Sequence, residues 1–168
     1  MVKYSKIKNL DNKIIPFSNP DKFFHESWNS ARNIANLPAP WRFLMIGSPN
    51  CGKGTGIQNL IVRADPAFER IICAHVSPDS TTELDIVDAE MTDEIPEIDE
   101  FDAETKTLLI IDDVDCKALD RASKSRLDRL FGFVSTHCNV SIALTAQEAF
   151  SIPANLRRLC NGLVIWKP

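Results

Sequence analysis

The stretch from Gly47 to Thr55 contains the residue types that bind phosphate. It follows the apolar run 43–46, and four residues separate Gly47 from the pair Gly52–Lys53. This is the Gly-x-x-x-x-Gly-Lys motif, in which backbone N–H groups and a helix N-terminus form an anion site and the lysine adds a full charge. It predicts a nucleoside triphosphate site. The predicted nucleotide-binding residues are Gly47, Ser48, Pro49, Asn50, Cys51, Gly52, Lys53, Gly54 and Thr55.

One position departs from this motif. A Ser or Thr usually follows the lysine and holds Mg²⁺, whereas here Gly54 follows it and Thr55 comes one place later. Either Thr55 reaches the metal or its water shell, or the metal depends more on acidic residues elsewhere. Gly-Lys-Gly-Thr is also similar to the loop of adenylate kinases. A glycine-rich turn that only joins a strand to a helix is the alternative without a ligand, but the order of strand, loop, lysine and helix argues against it.

A second group of polar residues follows a hydrophobic run about 60 residues later, where Leu108–Ile111 leads into Asp112 and Asp113. The carboxyl ends of parallel strands share one edge with the phosphate loop, so Asp112 should lie near Lys53. Carboxylate oxygens suit Mg²⁺, and Asp112 is the predicted metal ligand together with Thr55. Asp113 is predicted to orient or deprotonate an attacking water, because NTP hydrolysis depends on positioning and charge neutralisation.

Two further polar residues lie near this predicted acid pair. Gln147 follows the strand pattern 140–145, and at the shared edge its amide could bind the γ-phosphate or the attacking water and report the loss of phosphate. Asp115 is a lesser candidate for the roles predicted for Asp112 and Asp113. The alternative without function is that Gln147 is an ordinary exposed loop residue. In the same way, Asp112 and Asp113 could simply end a strand and expose its end to solvent.

The elements that must position these residues alternate between strand and helix, which predicts an α/β fold with a mostly parallel sheet and helices on both faces. Residues 1–40 are expected to form a Lys-rich leader and a helix, starting at Asn19-Pro20-Asp21, that packs on the core. Residues 41–168 are expected to form one nucleotide-hydrolysing domain. The predicted strands are 43–46, 70–76, 107–111, 140–145 and 162–166, and the predicted helices are 53–65, 119–136 and 152–159.

Composition favours one soluble globular domain, with 168 residues, 44% hydrophobic and 25% charged. No apolar stretch approaches the length of a membrane span and the N-terminus does not resemble a signal peptide, so we expect a cytosolic protein. The five cysteines have neither disulfide nor zinc spacing, which favours free thiols. Cys51 lies in the phosphate loop, so alkylation there should block nucleotide binding.

The net charge of −4 hides an asymmetry along the chain. Residues 79–104 contain twelve acids and no lysine or arginine, so the remaining eleven acids and nineteen basic residues give the rest of the chain a charge of +8. A basic body with one acidic segment suits a nucleic-acid partner, although ordinary surface charge explains it equally well.

Three stretches together resemble a known family. They are the phosphate loop, the run Leu108–Asp113, and Ser141–Gln147 followed by Ser151–Arg157. This combination is similar to the genome-packaging ATPases of poxviruses, other large DNA viruses and virophages, which belong to the FtsK–HerA group of P-loop NTPases. The resemblance covers residues 40–166, and its most specific part is the Ile-Pro-x-x-Leu-Arg ending at Arg157.

The resemblance implies a RecA-like sheet of order 5-1-4-3-2, with ATP and Mg²⁺ as ligands. Its Walker A lysine is Lys53, and its Walker B acids are Asp112 for the metal and Asp113 for the water, while Gln147 senses the γ-phosphate. It also implies a homo-oligomeric ring, a pentamer or hexamer, in which an arginine acts across the subunit boundary. Arg157 and Arg158 are the candidates for that role, with Arg129 a weaker one.

The same resemblance implies translocation of double-stranded DNA into a capsid, a portal-vertex partner, and a location in the host cytoplasm, at the viral factory, or in the virion. Gly54 departs from the family, and the chain ends just after the last predicted strand. Two alternatives remain open. One is a small nucleotide kinase, although no arginine-rich lid follows Thr55, and the other is a nucleotide-binding assembly module without catalysis, which Gly54 would favour if it weakens metal binding.

Overall fold

The computed structural model describes residues 39–64, 66–78 and 88–166. The expected leader and the helix from Asn19 therefore lie outside the described residues. In the described part, no helix is both long enough and apolar enough to cross a bilayer.

A parallel six-stranded sheet forms the centre of the molecule. Five of its six strands come from the predicted apolar runs, within one or two residues at each end, because short β-prone runs between turn residues favour strands that are buried on both faces. In chain order the strands are β1 (Arg42–Ile46), β2 (Arg70–His75), β3 (Glu90–Thr92), β4 (Thr107–Asp112), β5 (Val140–Ala146) and β6 (Gly162–Ile165).

The order across the sheet is β3-β2-β4-β5-β1-β6. Without β3, this is the predicted order 5-1-4-3-2, so the fold prediction is confirmed, with one strand inserted between the phosphate-loop strand β1 and the acid-pair strand β4. The additional strand β3 comes from the acidic segment. It lies at the edge next to β2 because its glutamate and threonine side chains would be costly to bury in a central strand.

The helices connect these strands. Helix α1 begins at Lys53 directly after the phosphate loop, and α2 begins two residues later than expected because Asp120 caps it, accepting a hydrogen bond from the Ser123 N–H at 2.8 Å. The predicted helix 119–136 is also interrupted by one π turn. The helical elements are α1 (Lys53–Val62), α2 (Arg121–Arg129), the π turn (Leu130–Val134), α3 (Ser135–His137) and α4 (Ala154–Leu159), with short 3₁₀ turns at Ile98–Glu100 and Ala149–Ser151.

Helices cover both faces of the sheet. Helix α1 covers one face through Ile57, and α2, the π turn and α4 cover the other through Leu127, Phe131 and Leu156. Because side chains alternate along a strand, the face under α1 contains the even-numbered residues of β4, including Leu108 and Ile110.

The same alternation determines where the strand ends point. His75, Asp112 and Thr145 continue the rows that face α1. They also lie side by side, since His75 pairs with Asp112 and the register of β4 with β5 places Asp112 beside Thr145. Polar groups at the carboxyl edge are therefore directed to the side of the sheet that carries the phosphate loop.

Candidate active site

The phosphate loop has the backbone that its glycines predict. Gly52 has φ 100° and Asn50 has φ 58°, both in the left-handed region, which turns the chain sharply into α1. The Lys53 ammonium donates hydrogen bonds to the carbonyl oxygens of Gly47 at 2.8 Å and Ser48 at 3.2 Å. Only 9% of Lys53 is exposed, so its charge is held across the loop, within reach of an anion bound there.

The acid pair at the end of β4 is held by a threonine that the sequence patterns did not single out. The Thr145 hydroxyl donates to Asp112 Oδ1 at 2.6 Å and accepts from the Asp113 backbone N–H at 3.0 Å. Thr145 is completely buried. One hydroxyl therefore fixes the rotamer of the first acid and the backbone of the second.

The structure brings Asp113 and Gln147 together. Gln147 Nε2 donates to Asp113 Oδ2 at 3.2 Å, across the ends of two neighbouring strands. Asp113 has φ 53°, a conformation that is uncommon for residues other than glycine and that turns the chain away from the end of β4. Both side chains are exposed, so the pair is open to an incoming ligand.

His75, at the end of β2, is a second residue that the sequence analysis did not identify. Its Nε2 lies 4.0 Å from Asp112 Oδ2, on the side opposite Thr145, and its Nδ1 accepts a hydrogen bond from the Ser77 N–H at 3.0 Å. Deeper on the same strand face, burial raises the pKa of Cys73 to about 12, and the Asp112 charge adds to that shift. Cys73 therefore remains a neutral thiol below the site.

The two halves of the site lie on one edge of the sheet, with β5 between them. The Gly47 N–H donates to the carbonyl of Ala146 at 3.1 Å, which ties the start of the phosphate loop to the end of β5. Two strand spacings, about 10 Å, separate the backbones of β1 and β4.

The donors at this edge fit Mg²⁺ bound together with a triphosphate. The described residues contain no cluster of three or more His, Cys, Asp or Glu side chains that could hold a metal without other ligands. Mg²⁺ commonly uses one or two carboxylates together with phosphates and water, and Asp112 supplies such a carboxylate. Thr55 is exposed on the first turn of α1, and among the described hydrogen bonds only its backbone carbonyl is engaged, by the Asn59 amide.

The predicted arginines are not part of this cluster. The Arg157 guanidinium lies 5.1 Å from the ring centroid of Phe150, and Arg158 is exposed on α4. Among the described contacts, neither side chain bonds to the phosphate loop or to the acid pair. Asp115 caps its own turn, with its carboxylate accepting from the N–H groups of Lys117 and Ala118, so its geometry favours a local role.

Comparisons with known proteins support the fold. No family model matches the chain, and no curated protein matches its sequence. Among solved structures, it resembles a point variant of RuvB from Thermotoga maritima (TM-score 0.53, 12% identity, covering 84% of this chain and 42% of RuvB). It also resembles the cytoplasmic domain of EssC (TM-score 0.57, 14% identity, covering 76% and 31%).

A third similar structure is the genome packaging NTPase B204 from Sulfolobus turreted icosahedral virus 2, in complex with sulfate, at a TM-score of 0.52 and 14% identity. The alignment covers 76% of this chain and 74% of B204, whereas this chain spans less than half of RuvB or EssC. Identities this low show the fold alone. Together with the sheet order, they show that the chain has the fold of the P-loop NTPases.

Proposed function

We propose that this protein is an ATP-hydrolysing subunit of a motor that moves double-stranded viral DNA into a capsid. The observation that carries the hydrolytic part is the convergence of Lys53, Asp112, Asp113 and Gln147 on one sheet edge, with Thr145 holding both acids. Charge neutralisation and an oriented water are the main requirements for phosphoryl transfer to water.

Each residue has a distinct task in this mechanism. Lys53 exchanges its bonds to the loop carbonyls for phosphate oxygens, and the loop N–H groups bind the remaining charge. Asp112 and Thr55 would hold Mg²⁺, which neutralises phosphate charge when it is bound. Asp113 accepts a hydrogen bond from the attacking water, and Gln147, already bonded to Asp113, positions that carboxylate relative to the γ-phosphate.

The packaging role is supported by the similarity in fold to B204. B204 is named as a genome packaging NTPase, and this chain spans about three quarters of it. The nine acids within residues 88–104 are all exposed at the β3 end of the sheet, whereas Arg129, Arg157 and Arg158 lie on α2 and α4. We propose a ring of identical subunits, a pentamer or hexamer, that encloses duplex DNA and docks on a portal-vertex protein of the capsid, with Arg157 or Arg158 acting across the boundary.

Steady-state ATP hydrolysis with and without duplex DNA, across a range of protein concentrations, tests this function. We expect hydrolysis to increase with DNA and with protein concentration, because a ring completes each site. Lys53→Ala should abolish both the basal and the stimulated rate. A rate that duplex DNA leaves unchanged would contradict the motor, and transfer of phosphate to AMP would indicate a kinase instead.

A second candidate is a nucleotide-binding assembly module that does not turn over ATP. Gly54 favours it, because it places no hydroxyl where the motif usually has a metal ligand. Tight ATP binding without turnover, even with DNA and at high protein concentration, would support this module and contradict the motor.

A further inference from the structure

Trp166 lies against the phosphate loop, although it is more than a hundred residues away in sequence. Its backbone N–H donates to the carbonyl of Ile46 at 2.9 Å, directly before the loop begins. A Cβ added to Gly47 would lie 3.0 Å from Trp166 Cβ, and one added to Gly56 would lie 2.9 Å from Trp166 Cζ2. A Cβ on Gly52 would lie 3.6 Å from the indole Nε1. The side chain therefore contacts the loop at its start, at the residue before Lys53 and in the first turn of α1.

This contact explains a glycine that the phosphate-binding motif does not require. Gly56 lies inside α1, where glycine is less favourable than alanine because its backbone loses more conformational freedom on folding. A Cβ added there would lie 2.9 Å from the indole of Trp166 and 3.4 Å from Met45 Cε. The sequence thus retains a poor helix former at the point where the rigid ring approaches the backbone.

We propose that Trp166 is a positioning residue that holds the phosphate loop in its nucleotide-binding shape and thereby sets the affinity for ATP. Nucleotide binding is itself part of the proposed function, so this role depends on it. The loop contains two residues with positive φ, Asn50 and Gly52, and the conformation of Asn50 is one that persists only when the surrounding structure holds it. A planar side chain fixed at the end of β6 restricts those alternatives before the ligand arrives, and preorganisation of this kind increases affinity.

Calorimetric titration of Mg·ATPγS into the full chain tests the proposal. We expect Trp166→Leu to raise the dissociation constant on the order of tenfold. Trp166→Phe, which keeps a flat ring, should recover most of the lost affinity. Trp41→Phe is the matched control, because Trp41 is buried in the core against Phe43, away from the loop. It should lower Tm while leaving the dissociation constant unchanged.

A double-mutant cycle separates loop positioning from general stability. Gly56→Ala should weaken ATPγS binding in the wild-type background, because the new methyl group displaces the indole. In the Trp166→Leu background the same substitution should leave affinity unchanged and raise Tm slightly, since alanine favours the helix.

Equal effects of Gly56→Ala in the two backgrounds, or wild-type affinity in Trp166→Leu, would overturn this role of Trp166 alone. Wild-type protein that binds no nucleotide would overturn the proposed function and this inference together.

Discussion

The interior of the sheet and its carboxyl edge are formed by the same central strands, but they differ in the polarity and burial of their side chains. In the interior, Leu108–Ile111 and Ile142–Leu144 are apolar and completely buried. One residue later the same strands present Asp112 and Thr145, polar groups that are bonded to each other. The interior thus stabilises the fold, and the edge positions groups that stability alone would not favour.

Backbone conformation differs between the two regions in the same way. The interior strands have extended geometry, whereas Asn50 and Asp113 at the edge have positive φ, which costs roughly 1–2 kcal/mol for most residues other than glycine and less for Asn and Asp. A fully buried Leu or Ile side chain contributes about 1.5–3 kcal/mol, so a few interior side chains offset the strained edge. Substitutions in the two regions should therefore separate stability from chemistry.

The largest separation is expected for Asp113→Asn at the edge. Losing the carboxylate that we propose accepts a hydrogen bond from the attacking water should reduce kcat about 10³-fold, while Tm changes little because the side chain is exposed. Asp115→Asn is the matched control, since that side chain caps a local turn and an asparagine oxygen can replace it. Steady-state hydrolysis and thermal melts would check both, and equal losses in the two variants would argue against a specific role for Asp113.

In the interior, Leu109→Ala should have the opposite signature. Removing a completely buried side chain from the central strand should lower the free energy of unfolding by about 3 kcal/mol through lost burial and a cavity. At a temperature where the variant is still folded, kcat and the ATP dissociation constant should match the wild type. Urea unfolding combined with a rate measurement would show this, and a tenfold loss of kcat in the folded variant would contradict it.

Thr145 and Ser141 give an intermediate test, because both are buried hydroxyls on the same face of β5. Thr145→Val removes the bonds to Asp112 and Asp113 and should reduce kcat on the order of tenfold, with Thr145→Ser restoring most of the rate.

Ser141→Ala removes only a bond from the Trp41 N–H, near the amino edge of the sheet, and should lower Tm slightly at unchanged kcat. If Ser141→Ala slowed hydrolysis as much as Thr145→Val, the hydroxyl at the carboxyl edge would have no special role in hydrolysis.

The smallest difference between interior and edge is expected in the reactivity of two thiols, Cys73 and Cys51. Cys73 is completely buried, and burial raises its pKa to about 12, so below that pH it stays protonated and unreactive. Cys51, in the phosphate loop, is partly exposed. N-ethylmaleimide at about pH 8 should modify Cys51 and inhibit hydrolysis, and ATPγS should protect it. Peptide mass spectrometry would locate the adduct, and labelling of Cys73 in folded protein would contradict its burial.

The interior could be predicted from the sequence almost completely. Apolar runs such as Leu108–Ile111, bounded by polar or turn residues, are a strong strand signal, and the alternation with helices predicts a parallel sheet. Strand β3 lacks that signal, since Met91 is its one apolar residue. The π turn was not predictable, since Leu130–Val134 has the spacing of an ordinary helix.

The edge could be predicted only in part. Gly47–Thr55 and the two aspartates are recognisable by motif, and Gln147 by its place after a strand. Threonine is common in strands for its β-propensity alone, so the sequence does not reveal that Thr145 bonds to two acids. Trp166 resembles an aromatic residue that ends a strand, and its contact with the loop glycines depends on tertiary structure.

The Mg²⁺ dependence of ATPγS affinity, compared between wild type and Asp112→Asn, tests most directly whether Lys53 and the acid pair share one ligand. We predict that Mg²⁺ tightens binding about tenfold or more in the wild type and has little effect in Asp112→Asn, since in the proposed site the Asp112 carboxylate would hold the metal. Equal Mg²⁺ dependence in the two proteins would contradict the proposed site.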